Sequence, residues 1–134
     1  MGNNMKQLVV AAAVLTCLAL PARAADWTDC VDSDETVAMR LLLADTDVMS
    51  VDTIEMESDG KKWSTAGGAG VTKITKGQGF DTDDQMLVDV TDEKGAEIVA
   101  QLRVYKAFEG ENYVFGGTLR IAGAGAWAVE CASR

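Results

Sequence analysis

The sequence predicts a small all-β domain, an antiparallel meander that closes as a barrel or as a two-layer sandwich, with one disulfide joining its first and last strands. Three observations predict it. Apolar and polar residues alternate with a period of two through most of the chain after residue 53. Glycines and acidic clusters punctuate it about every ten to fifteen residues. Cys30 and Cys131 lie close to the two ends of what remains once an N-terminal leader is set aside.

Residues 1–24 have the form of a secretory signal peptide. Lys6 supplies the positive end, and Leu8 to Leu20 gives 13 residues without a charge. Pro21 ends that run, and Ala22-Arg23-Ala24 places small residues where a signal peptidase reads. As a helix the run rises only about 20 Å, short of the roughly 30 Å hydrocarbon core. Export with cleavage is therefore expected rather than anchoring, and no membrane insertion is expected after cleavage. A lipid anchor at Cys17 would need a small residue before it, where Thr16 stands, and myristoylation of Gly2 would need Ser or Thr where Lys6 stands.

Cleavage removes Cys17 and leaves residues 25–134 as a single β-rich domain with two cysteines, which admit one intramolecular connectivity. An exported chain keeps such a pair oxidised, so Cys30–Cys131 is the expected bond and the periplasm or the exterior the expected compartment. Closing a loop of this length removes about 4.7 kcal/mol of entropy from the unfolded chain in the loop model.

The clearest hairpin is Thr53–Thr65. Asp59-Gly60 suits a two-residue type I′ turn, which sets Ser58 opposite Lys61, Glu57 opposite Lys62, Met56 opposite Trp63 and Ile54 opposite Thr65. That register joins an apolar pair on one face to an opposite-charge pair on the other. Further strands follow. Met86, Val88 and Val90 share a face, as do Ile98, Ala100, Leu102 and Val104. Tyr113, Phe115, Gly117, Leu119 and Ile121 form a third row, and Trp127, Val129 and Cys131 a fourth after the turn of residues 122–126. Residues 34–45 fit a strand with Val37, Met39, Leu41 and Leu43 on one side, and also fit a helix with Val37, Leu41 and Ala44 on one stripe after an Asp34 cap. The strand is preferred because everything downstream is sheet. Residues 67–80 alternate weakly and are rich in glycine, the pattern of an irregular edge.

Charge narrows the function. Of the 12 Lys and Arg, Lys6 and Arg23 precede residue 25, whereas all 21 Asp and Glu follow it, so residues 25–134 carry a net charge of −11. Nucleic acid and anionic lipid surfaces repel such a chain, and a cationic protein partner is attracted to it. Histidine is absent, which removes the commonest general base and the favoured zinc ligand. With both cysteines oxidised no soft metal site remains, and no cofactor is expected.

The candidate sites each have a plainer structural explanation. Asp81, Asp83 and Asp84 resemble a calcium loop, but Met86 and Asp92 stand where an EF-hand needs Gly and Glu, and starts at Asp32 or Asp45 fail as well. Acids in turns more often cap backbone N–H groups, so no metal is assigned. Gly67–Gly70 lacks the rest of a nucleotide loop and is expected to be a turn. Gly116-Gly117 within a strand predicts a bulge, the alternative being close backbone approach by a ligand or partner. Trp27, Trp63 and Trp127 are expected in the core or at its rim.

Thr75-Lys76-Gly77, in a small, acidic, exported β protein, resembles a segment of the periplasmic lysozyme inhibitors. The flanking residues depart from that family's pattern, and no family is assigned. The expected function is a non-catalytic acidic binding module for a cationic protein partner such as a cell-wall hydrolase. The alternative is a carrier holding a small apolar ligand inside a barrel.

Overall fold

The structure is a computed structural model that describes residues 25–44 and 48–134. The signal-peptide segment and Asp45 fall outside the described residues. Nine strands close into one barrel in chain order: β1 (Asp26–Val31), β2 (Val37–Ala44), β3 (Ser50–Ser58), β4 (Lys61–Ser64), β5 (Thr72–Asp81), β6 (Gln85–Asp92), β7 (Ile98–Glu109), β8 (Asn112–Ile121) and β9 (Gly125–Ser133). No helix occurs among the described residues. The ambiguous segment is strand β2: Val37, Met39 and Leu41 point inward and are buried, while Arg40 between them faces solvent. Period two prevails there because both neighbours, β1 and β3, are strands with inward apolar rows to match.

The predicted hairpin forms in the predicted register. Asp59 and Gly60 adopt φ of 48° and 73°, and Met56 faces Trp63 while Glu57 faces Lys62. The ladder closes between β1 and β9, where Cys30 lies directly opposite Cys131 and is bonded to it. A closed ladder leaves no long unpaired edge at that seam.

Residues 72–81, within the segment expected to be an irregular edge, are a strand that keeps part of that character: its ladder to β6 shifts register between Lys76 and Gly79, and it pairs with β4 at Thr72 and Lys73 alone among the described residues. They form β5 inside the ring, antiparallel to β6 and parallel to β4. Parallel neighbours ordinarily need a long crossover. Here β4 and β5 overlap at only two positions, Trp63 with Thr72 and Ser64 with Lys73, so seven connecting residues suffice to turn the chain back. Gly67, Gly68 and Gly70 in that connection all have positive φ, and Gly67 N–H donates to the Ser64 carbonyl. Weak apolar alternation concealed the strand because Ile74 is the one buried residue of its ten, and Gly77 and Gln78 form an irregularity against β6.

Two further register shifts adjust the inward row. One lies between Leu42 and Leu43 opposite Asp52, so that Val51 and Ile54, three residues apart, both point inward. The other places Val99 as an extra residue in β7; it turns Ile98, expected inside, to the exterior at 47% exposure.

Gly116 and Gly117 lie where the β7–β8 and β8–β9 registers run without a shift, so the expected bulge is absent. Close backbone approach is the reason for the pair. A Cβ on Gly117 would collide with the Arg103 carbonyl oxygen and lie 2.8 Å from Val104 Cα, and one on Gly116 would lie 2.8 Å from the Val129 carbonyl oxygen. The approaching backbones belong to β7 and β9 of the barrel itself.

The interior is filled. Met39, Leu41, Ile54, Ile74, Met86, Leu102, Leu119 and Ile121 are all buried to within 2% of completely, with Val37, Val88, Val90 and Val104 among them. Each such side chain contributes about 1.5–3 kcal/mol of burial. Trp63 and Trp127 pack at the rim of this core, half-buried, and Trp27 is half-buried beneath the Arg40 guanidinium, 4.8 Å from its ring centre.

Candidate functional site

Strand direction gives the barrel two ends. The upper end carries the turns at 32–36, 59–60, 93–97 and 122–124; the lower end carries those at 82–84 and 110–111 and Val48 beside β3.

At the upper end, acids act as turn caps, as expected of them. Asp32 Oδ1 accepts from the N–H groups of Thr36 (2.7 Å) and Val37 (2.9 Å), and Oδ2 accepts from Thr36 Oγ1 at 2.6 Å. These bonds, the Thr36 side chain foremost, hold the Asp32 carboxyl below the ordinary carboxylate range. Asp92 caps its own turn by accepting from Ala96 N–H at 2.7 Å. Beside the Asp32 turn a groove of about 740 Å³ runs between Glu35, Glu57, Asp59 and Trp127.

The lower end is built differently. Strand β6 ends at Gln85 opposite Tyr105, and the pairing of β9 with β8 ends at Gly116. β7 and β8 continue beyond both and pair with each other to the turn at Glu109 and Asn112. The result is an arm projecting below the barrel. Lys106, Phe108, Tyr113 and Phe115 continue the inward-facing rows, whereas Tyr105, Ala107 and Val114 continue the outward ones.

At the base of the arm Phe115 is buried, and Lys106 Nζ sits 5.4 Å above its ring centre. The ammonium donates to Asp81 Oδ1 at 2.6 Å and to the Thr82 carbonyl at 3.0 Å. Lower down, the apolar surface is open among the described residues. Phe108 stacks on Tyr113 with ring centres 4.6 Å apart, yet Phe108 remains 66% exposed and Tyr113 49%. Tyr105 and Val114 are similarly open, and Phe80 of β5 is half exposed. Of the large exposed hydrophobic residues among those described, Ile98 alone lies at the upper end. Asp81, Thr82, Asp83, Lys106, Phe108 and Tyr113 together line a notch of about 570 Å³.

The sequence candidates distribute as follows. Cys30 and Cys131 meet and are bonded; Cys30 is wholly buried, which suits a structural tie. Asp81, Asp83 and Asp84 lie near one another at the lower end without converging. Asp81 pairs with Lys106 and Asp84 accepts from Thr82 Oγ1 at 2.6 Å. Among the described residues no group of three or more His, Cys, Asp or Glu is placed to hold a metal ion.

Sequence reasoning missed the aromatic arm. The available signal was a loss of alternation: in residues 105–115 Tyr105 and Val114 occupy one phase while Phe108, Tyr113 and Phe115 occupy the other. A hairpin with apolar residues in both phases has no wholly polar face to turn to water.

No family model, no curated protein and no solved structure matches the chain. The functional reading therefore rests on the geometry and charge of the chain itself.

Proposed function

We propose that the chain is exported to the periplasm or the exterior, loses residues 1–24, and works as an acidic, non-catalytic binding module for a cationic protein partner. A cell-wall hydrolase is one partner of that kind. The observation that carries this reading is a barrel whose interior is filled by its own side chains, in a segment of net charge −11. Recognition then belongs to the outer surface, and charge sets the sign of what is attracted.

The distribution of ion pairs supports it. Arg40, Lys62, Lys73, Arg103, Lys106 and Arg134 each lie within ion-pair distance of a carboxylate of the same chain. The chain's own cations are largely engaged, and the surplus of acids faces water. A buried disulfide is consistent with an oxidising compartment. The carrier alternative needs room that Met39, Leu102 and their neighbours occupy.

The test is capture of partners from the host's exported proteins on the immobilised chain, at about 0.05 M and about 1 M salt. A cationic protein held at low salt and released at high salt is the expected result. Equal retention at both would overturn the charge-based reading.

A further inference from the structure

We propose that the β7–β8 arm is the docking surface, and that it takes an arginine-bearing basic segment of the partner protein against the stacked rings of Phe108 and Tyr113. This inference rests on the reading of the chain as a module for cationic partners and adds where and how it binds.

Three observations converge on the arm. The first is apolar exposure concentrated at one end. Phe108 and Tyr113 are open to solvent on one face of a hairpin that extends past its neighbours, with Tyr105 and Val114 open on the other, and apolar exposure rimmed by charge marks interaction surfaces. The second is the charge around it. Asp83 lines the same notch as the two rings, and Glu109 and Glu111 flank the arm's turn; among the described residues these three make no ion pair, so they are available to a cation. The third is a working example in the same place. Lys106 already sits over Phe115 with Asp81 closing on its ammonium, a cation held between a ring face and a carboxylate. Phe108, Tyr113 and Asp83 repeat those components at the open side of the notch, where no cation of the described residues fills them.

A guanidinium suits this arrangement better than an ammonium. It is planar, stacks on ring faces, is more weakly hydrated, and retains edge N–H groups for a carboxylate. The arm therefore discriminates arginine from lysine, which a diffuse negative surface does not. The upper groove between Glu35, Glu57 and Trp127 is the competing surface and serves as the internal comparison.

The experiment titrates the full oxidised chain 25–134 into labelled oligo-arginine and oligo-lysine peptides of equal length at low salt, following anisotropy. Four proteins are compared: the unaltered chain, Phe108→Leu/Tyr113→Leu, Asp83→Asn/Glu109→Gln, and Glu35→Gln/Glu57→Gln. The last two remove the same charge at opposite ends. The leucine variant keeps the arm apolar and alters exposed side chains, and its circular dichroism and melting temperature check the fold. The unaltered chain is expected to prefer oligo-arginine, and the leucine variant to lose that preference with a fall in oligo-arginine affinity of about fivefold to tenfold. Neutralisation at the lower end is expected to weaken binding more than equal neutralisation at the upper end. Arginine preference and affinity unchanged in the leucine variant would overturn the assignment of the arm while leaving the cationic-partner reading intact. Failure of the unaltered chain to bind either peptide at low salt would overturn both.

Discussion

Cys30 and Cys131 occupy directly opposed positions in the β1–β9 ladder, so the covalent bond and the closing seam of the barrel coincide. Among the described residues that seam has four paired positions, from Thr28–Ser133 to Val31–Glu130, and one further backbone bond from Arg134 N–H to the Trp27 carbonyl. The bond shortens the unfolded chain's freedom over a sequence separation of 101 residues. Replacing both cysteines with alanine is expected to cost about 2–5 kcal/mol, the usual range for a native disulfide in a small exported domain. Urea unfolding of the double variant measures it. An unchanged midpoint would show that the seam holds without the tie.

Gly117 is the more tightly enclosed of the two β8 glycines. The Cβ of an alanine would meet the Arg103 carbonyl, and that atom belongs to a paired backbone that cannot rotate away. Gly117→Ala is expected to destabilise by about 3 kcal/mol, at the upper end of ordinary overpacking costs. Gly116→Ala, directed outward against the Val129 carbonyl, is expected to cost less. Paired urea melts give the order.

Asp32 gives the fold a pH dependence at the acid end. Its carboxyl in the folded turn titrates below the unfolded value of about 4, because Thr36 and Val37 donate to the charged form. A depressed folded pKa contributes stability that is complete above the unfolded pKa and disappears as pH falls through the folded one. The melting temperature of the native chain is therefore expected to drop more steeply below about pH 4 than that of Asp32→Asn. Parallel slopes for the two proteins would remove Asp32 from the account.

The turn at Asp59-Gly60 requires both residues in the left-handed region, at φ of 48° and 73°. A β-branched residue fits there poorly. Gly60→Val is expected to cost about 1–2 kcal/mol, the penalty of a left-handed conformation for one L-residue. No atom blocks a Cβ at this glycine, so the loss would isolate backbone conformation from crowding. Thermal melts of Gly60→Ala and Gly60→Val would give it.

Most of the barrel was legible because its strands bury one face, and such strands alternate. The Thr53–Thr65 hairpin was readable to the pair, since a two-residue turn leaves one register, and Cys30 and Cys131 announced the closing seam. What failed to show were features set by three-dimensional crowding. Residues 72–81 hide a strand because Ile74 alone of the ten is buried and Gly77 and Gln78 interrupt its register against β6. Ile98 followed the apolar rhythm yet faces out, because Val99 is inserted beside it. The Gly116-Gly117 pair announced an unusual backbone without saying that β7 and β9 press on it. The lower-end arm was overlooked for a related reason: Phe108 and Tyr113 fall in the inward phase, and only the shorter reach of β6 and β9 reveals that no interior exists at their level.

The central claim is that a processed, covalently closed barrel filled by its own side chains acts through its exterior. Mass measurement of the native protein purified from its host, under conditions that preserve non-covalent complexes and without reductant, tests it most directly. The account predicts the mass of residues 25–134 less two hydrogens, no bound small molecule, and no alkylatable thiol. A co-purifying apolar ligand, two reactive sulfurs, or a chain that still carries Cys17 would contradict it.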